Sequence, residues 1–226
     1  MGFGSILDVF KSDNWSNELV EMISEMLEKS HDMFDVTIGV LIKGEPDEDP
    51  QTRIYKQDRQ INKLERKIRR RVVSRLSVRG SRAEVPTALI FMNAVKDAER
   101  LGDYVKNLHE VGEMMPDDVD RSIYDDKLGE YSNEISTMFE TTRRAFAESD
   151  EELAGKVIKQ AKANGRIYEQ MIRETTNGSL DVKNAVCIVL MLRFYKRLVA
   201  HMSNIASTVV MPVDMIDYYD EPEDMT

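Results

Sequence analysis

Three side chains near the middle of the chain are spaced in a way that suits metal binding. Glu99, Asp103 and Asn107 follow one another at intervals of four residues within the segment 94–109. In an α-helix this spacing places them on one stripe, one turn apart. The apolar residues of the segment point to the opposite side: Leu101, Val105 and Leu108. We therefore expect the three side chains on the solvent-facing side of an amphipathic helix, where a metal ion or a partner protein could meet them.

The chemistry of this stripe favours hard cations. Carboxylate oxygens suit Mg, Ca, Mn or Fe ions, and two carboxylates one turn apart can bridge two of them. No histidine falls on the stripe, so a closed zinc site is disfavoured. The alternative is a solvated acidic face, in which Glu99 and Asp103 pair with the neighbouring Lys96 and Arg100.

The composition favours a helical protein and excludes several classes. The chain has 226 residues, a formal charge of −10 and fourteen methionines, and its apolar residues recur at helical spacing. The negative charge disfavours nonspecific binding to nucleic acid. The single cysteine, Cys187, lies in an apolar run and is expected in the core. The longest apolar run ends at Arg193, too early for a membrane span, and the N-terminus is not a secretory signal. These features predict a cytoplasmic protein without membrane insertion.

Helix signals divide the chain into six long segments. Asp49 before Pro50 is a helix start and Gly44 is a helix stop. Ser81 with Glu84 and Ser149 with Glu152 resemble capping boxes, although Pro86 can shift the first of these starts to a later residue. We interpret the basic run at 66–71 as a solvated helix end that complements the helix dipole. The predicted helices cover approximately 16–42, 50–76, 81–112, 115–146, 149–175 and 181–210.

The order of the helices repeats within the chain. Three long helices are followed by a Gly/Pro break and three more, and ERLGDYVKNL at 99–108 aligns with KRLVAHMSNI at 196–205. This self-similarity indicates a tandem duplication. Short loops force neighbouring helices to reverse, so each half is predicted to be an antiparallel three-helix bundle. The predicted organisation is a lead-in at 1–15, bundles at 16–114 and 115–213, and an acidic tail at 214–226.

These features resemble the PhoU family of phosphate-uptake regulators. The resemblance rests on two three-helix repeats with a Glu-x-x-x-Asp motif late in the third helix, and on the likeness of ERLGDYVKNL to that family's signature. It implies an all-α fold and a protein that binds rather than catalyses. Such proteins commonly dimerise and restrain a phosphate-responsive histidine kinase and the phosphate transporter. Their Glu-x-x-x-Asp helices, with acidic residues of the preceding helix, can hold clusters of iron or zinc.

The resemblance implies a metal site in the first half only. There Glu99, Asp103 and Asn107 match the family pattern, and Asp58 with Asn62 supplies the preceding helix. In the second half Lys196 and Ala200 replace the Glu and the Asp, and an ammonium group repels a metal ion. We therefore expect at most one site, holding iron, zinc or another divalent metal ion.

The predicted function is that of a non-enzymatic regulator of phosphate uptake or phosphate signalling. It would bind a transporter ATPase or a histidine kinase through one bundle face, as a homodimer and without nucleic acid. Two alternatives remain at this point: a helical scaffold that has lost its metal site, and a metalloenzyme that acts on phosphate esters through a carboxylate-bridged metal pair. No Gly-x-Ser-x-Gly motif or phosphate-cradling glycine loop indicates a hydrolase.

Overall fold

A computed structural model describes residues 14–78, 81–116 and 118–218, and every regular element in those ranges is helical. This confirms the prediction of an all-α fold with six long helices. Over the same ranges, no helix is apolar for long enough to cross a lipid bilayer. The six helices are α1 (Asn14–Ile38), α2 (Pro50–Leu76), α3 (Val85–Glu110), α4 (Glu130–Glu148), α5 (Glu151–Thr176) and α6 (Val182–Val210).

The residues that end and begin these helices follow local chemistry. The helical path of α1 continues through a π-helical turn, Gly39–Lys43, and stops at Gly44, whose φ of 67° suits a residue without a Cβ atom. Asp49 caps α2 as predicted, because its side chain accepts a hydrogen bond from the Thr52 amide. Asp181 caps α6 in the same way, with the Asn184 amide as donor.

The structure corrects both predicted capping boxes. Helix α5 is capped by Asp150, which accepts a hydrogen bond from the Leu153 amide, whereas Ser149 adopts a left-handed conformation that ends α4. Helix α3 begins at Val85, and the carboxylate of Glu84 accepts hydrogen bonds from the Arg75 guanidinium rather than from the helix backbone. Glu84 thus has a different partner from the one that the pattern assigned, and the cap of α5 is the residue that follows Ser149.

The fourth helix begins later than its sequence indicated. A single helical turn, Ser122–Tyr124, leads into a π-helical turn, Asp125–Gly129, and regular α-helix starts only at Glu130. The widened turn accommodates Leu128, which is fully buried. The chain stays helical through a π-turn. The apolar pattern therefore did not show where the π-turn ends and the regular α-helix begins.

The helices form two sets of three that share one core. Helices α1, α2 and α3 pack on one another, as do α4, α5 and α6, and the sets meet where α1 contacts α4 and α3 contacts α6. Aromatic rings cross that junction: Phe34 lies 5.7 Å from Phe139 and 6.0 Å from Tyr195, measured between ring centroids. The predicted residue boundaries of the two bundles stay predictions. Most of the lead-in, 1–13, and the tail beyond residue 218 lie outside the described residues.

A buried hydrogen-bonded contact joins the third helices of the two sets. Asp97 of α3 has no exposed surface, and its Oδ1 atom lies 2.6 Å from Nδ1 of His201 on α6. Asn204 donates a longer hydrogen bond to the same oxygen, at 3.4 Å, and the ammonium of Lys96 lies 3.7 Å from Oδ2. The ring of Tyr104 stacks on His201 with the centroids 5.4 Å apart. These contacts fix the position of α3 along α6.

Replacing Asp97 with alanine is expected to destabilise the protein strongly. The substitution removes the hydrogen-bond partner of His201 and of Asn204 at the buried α3–α6 contact, which costs about 2–4 kcal/mol in the free energy of unfolding. Urea unfolding followed by circular dichroism measures the change. Glu21→Ala, an exposed acid on α1, is the control, and its effect should stay within about 0.5 kcal/mol. Equal midpoints for the two variants would contradict the assignment.

Candidate functional site

The predicted metal ligands lie in the groove between α2 and α3, partly buried. Side-chain exposure is 20% for Glu99, 27% for Asp103 and 11% for Asp58. The expectation of an acidic stripe open to water is therefore correct only in part, because α2 covers one side of it. Asn107 is half-buried one turn beyond Asp103, and the structure records no hydrogen bond from its side chain to the described residues.

A glycine next to Asp103 allows the two helices to approach closely. A Cβ atom on Gly102 would lie 2.8 Å from Cδ1 of Ile61 on α2, closer than real Cβ contacts allow. Ile61 is buried against this position. The close approach brings Asp58 of α2 opposite Asp103 of α3. A larger residue in place of Gly102 would hold the two helices, and therefore the two carboxylates, farther apart.

An ammonium group lies between these two carboxylates. Nζ of Lys106 is 3.1 Å from Oδ1 of Asp58 and 3.1 Å from Oδ1 of Asp103. Burial lowers the pKa of Lys106, but its hydrogen bonds to the two carboxylates outweigh that effect and raise the pKa overall. Asn62 donates a long hydrogen bond, 3.5 Å, to the other oxygen of Asp58. The lysine thus stays charged and links α2 to α3.

Glu99 lies one turn away in a more acidic environment. Burial raises its pKa above the ordinary value, and the nearby carboxylates of Asp103 and Glu65 raise it further. The guanidinium groups of Arg100 and Arg69 oppose this shift, and Arg69 is itself paired with Glu65 at 2.7 Å. A cation near Glu99 would therefore be favoured electrostatically.

These residues do not form a preformed metal centre. No three carboxylate, histidine or cysteine side chains in the described part of the chain converge closely enough to hold a metal ion. Glu99 and the two aspartates have the hard oxygen atoms that such an ion needs, but Lys106 occupies the space between Asp58 and Asp103. A divalent ion at this place would have to displace the lysine side chain. Metal binding by Glu99, Asp103, Asp58, Asn62 and Asn107 stays a prediction.

The corresponding place in the second half also contains an ion pair formed by a lysine. Lys196 of α6 forms an ion pair with Glu169 of α5, which lowers the pKa of that carboxyl group. Asn164 is buried and donates a 2.9 Å hydrogen bond to Glu134 of α4, so it faces its own bundle. Ala200 lines a groove of about 290 Å³ beside Lys196. In both halves, then, a lysine of the third helix pairs with an acid of the second.

Two parts of this arrangement escaped the sequence-based prediction. Lys106 lies three residues after Asp103, the usual spacing of a helical ion pair, so the pattern contained that information. Asp97 falls on the apolar face of α3, three residues after Ala94 and four before Leu101, so the pattern contained a sign of its burial. Its contact with His201 joins residues 104 positions apart. Long-range pairing of this kind requires the fold.

Comparison with known proteins agrees with this architecture. The model of the PhoU domain matches residues 23–111 and 128–209, well over half of the chain. The chain belongs to the PhoU family. Members of this family are regulatory accessory proteins and not enzymes, which confirms the prediction of a non-enzymatic protein and disfavours the phosphate-ester metalloenzyme.

Two individual proteins resemble the chain. The phosphate-specific transport system accessory protein PhoU homolog 1 of Thermotoga maritima is 38% identical over 91 residues, which is 38% of either chain. The match therefore spans well under half the length of that curated relative. The crystal structure of PhoU from Pseudomonas aeruginosa superposes with a TM-score of 0.73, covering 87% of this chain and 96% of that one at 22% identity. The structural match supports the PhoU fold.

Replacing Lys106 with methionine tests whether the lysine substitutes for a metal. Loss of the ammonium leaves Asp58 and Asp103 unneutralised, so Mn²⁺ should bind roughly tenfold or more tightly than to the original protein. Isothermal titration with Mn²⁺ measures the affinity. Lys159→Met removes an exposed lysine of α5 and should leave Mn²⁺ binding unchanged. If Mn²⁺ binds neither the original protein nor the Lys106 variant, the metal prediction is wrong.

Replacing Glu99 with glutamine should stabilise the protein at neutral pH. Because the pKa of Glu99 is raised in the folded state, its ionisation opposes folding, and the stability it contributes at low pH is lost as the pH rises through the folded pKa. The variant should melt about 1–2 °C higher near pH 7. The difference should vanish near pH 4, where the original side chain is protonated. A lower melting temperature at neutral pH would contradict this environment for Glu99.

Proposed function

We propose that this protein is an accessory regulator of phosphate transport that acts by binding other proteins. The observation that carries the proposal is the match of the PhoU domain to both halves of the chain, 23–111 and 128–209. The Thermotoga maritima relative is described as an accessory protein of the phosphate-specific transport system. The proposed partners are a transporter ATPase and a phosphate-sensing histidine kinase, met in the cytoplasm by a homodimer of this chain.

The arrangement of helices suits a rigid docking module. The junction of α3 with α6 is fixed by the buried contact of Asp97 with His201, so the two bundles present their outer faces at a constant angle. A binding protein that keeps its shape loses little conformational freedom when it associates. The groove between α2 and α3 is a proposed part of the docking face, since its carboxylates can accept basic groups of a partner.

Two forms of this mechanism differ in the role of metal. In the first, a divalent ion displaces Lys106 and binds Glu99 and Asp103, so that metal availability changes the docking face. In the second, the lysine permanently links α2 to α3 and the regulator acts without metal. The position of Lys106, 3.1 Å from both aspartates, favours the second form.

Affinity capture from cells tests the function. The tagged full-length protein should co-purify with a phosphate-transporter or sensor-kinase component, and the yield should differ between phosphate-rich and phosphate-starved cells. The destabilised Asp97→Ala variant is a control for capture that depends on the fold. Deletion of the gene should change phosphate uptake in phosphate-rich medium. Unaltered uptake together with no such component in the eluate would refute the proposal.

A further inference from the structure

Helix α2 carries a charge opposite to that of the rest of the molecule. Between Pro50 and Leu76 there are ten lysines and arginines and only two acids, a balance of +8 in a chain whose total is −10. The corresponding helix of the second half, α5, has five basic and four acidic residues. The excess is therefore a property of α2 and is not inherited from the duplicated bundle.

Six of these basic residues form a line on the outer side of α2. They are spread over about 21 Å of helix and point away from the buried face that contains Ile61 and Ile68. All six are exposed. We call this line the α2 ridge; it consists of Lys56, Arg59, Lys63, Arg66, Lys67 and Arg70.

The cations of the ridge are not neutralised by the described residues. Arg66 donates a hydrogen bond to the Asn62 carbonyl, and none of the six forms an ion pair with an acid in the ranges that the structure describes. Neighbouring arginines outside the ridge behave differently, since Arg69 pairs with Glu65 and Arg71 pairs with Glu18. The sequence favoured a solvated helix end for 66–71. The structure instead divides this run between internal ion pairs and an outward ridge.

Exposed aliphatic side chains follow the ridge along the sequence, at the end of α2 and at the start of α3. Exposure is 63% for Val73, 61% for Val78, 41% for Val85 and 48% for Leu89. Val73 continues the ridge itself, three residues after Arg70. Beside it opens a groove of about 400 Å³ lined by Trp15, Lys67, Arg70, Arg71, Ser74 and Arg75. Cationic side chains beside exposed aliphatic ones are typical of helices that lie on anionic lipid surfaces.

We propose that the α2 ridge binds the surface of an anionic phospholipid bilayer, with the valines at its end entering the headgroup region. The ridge is convex and belongs to an outer helix, which packs on α1 and α3. A fluid layer of headgroups can follow such a surface, whereas a folded acidic partner needs a matching shape. Nucleic acid would use the cations but not the aliphatic side chains.

The negative total charge does not prevent this contact. At about 0.1 M salt the Debye length is about 10 Å, roughly one helix diameter. A bilayer that touches α2 therefore interacts mainly with the ridge, while the acidic helices behind it are screened. The same acidic surface disfavours every other orientation, so the membrane selects the α2 side.

Vesicle co-sedimentation of the full-length protein tests the proposal. Vesicles of about one third phosphatidylglycerol in phosphatidylcholine are compared with pure phosphatidylcholine at about 0.1 M salt. Each basic residue near an anionic leaflet raises partitioning about fivefold, so a Lys63→Gln, Arg66→Gln, Arg70→Gln triple variant should bind about 100-fold less. A Lys159→Gln, Lys162→Gln, Arg166→Gln triple on α5 is the matched control. It has the same spacing, the same loss of charge and exposed positions without ion pairs to described residues.

The control variant shows whether binding to vesicles depends on the α2 ridge or only on the total positive charge of the protein. Sedimentation with anionic vesicles only, lost in the α2 triple and kept in the α5 triple, supports the proposal. Equal loss in both triples, or no sedimentation of the original protein, overturns it. Binding to a poly-glutamate peptide or to duplex DNA without binding to vesicles also overturns it and assigns the ridge to another polyanion. Circular dichroism verifies that both variants are folded. None of these outcomes depends on which transporter or kinase the protein contacts.

Discussion

The contact between α3 and α6 joins the two bundles. It combines apolar packing with the hydrogen-bonded contact of Asp97 and His201, and together with the packing of α1 on α4 it holds the two bundles as one body with a continuous core. A buried carboxylate is tolerated only with a partner, so the pair accepts one register between the helices and disfavours shifted ones. Residues after it on α3 then receive fixed positions: Tyr104 against His201, and Glu99 and Asp103 on the side that faces α2.

The groove between α2 and α3 has carboxylates that suit a metal ion, but a lysine of the chain lies between them. Its geometry depends on Gly102, which permits the close approach, and its charge balance depends on Lys106. Two carboxylates from neighbouring helices repel each other unless a cation lies between them. A lysine of the chain meets that requirement at the place where the sequence predicted a metal ion. In the second bundle Lys196 pairs with a single acid, Glu169, and occupies the position that aligns with Glu99 rather than with Lys106.

Most of the fold could be predicted from the sequence, because helical periodicity and duplicated segments are local properties. Asp49 as a cap and Gly44 as a stop were identified correctly, since each acts within a few residues. The capping roles of Ser149 and Glu84 were predicted wrongly, because Asp150 caps α5 and because Glu84 accepts hydrogen bonds from Arg75. The candidate site was located but its burial was underestimated, because the cover supplied by α2 depends on packing between helices. Asp97 falls on the same helical face as Ala94 and Leu101, so its burial could be predicted, but its partners His201 and Asn204 lie on the other bundle and their identity requires the fold.

The uneven distribution of charge gives the molecule a permanent electric dipole. Helix α2 has a balance of +8, so the remaining residues together carry −18. Such a body rotates in the field of any charged object before the two surfaces touch, and a random encounter becomes an oriented one. The duplication produced two bundles of similar shape, but only one of them carries the positive pole. The two halves have similar backbones but different charges, and this difference in charge gives the molecule a preferred orientation.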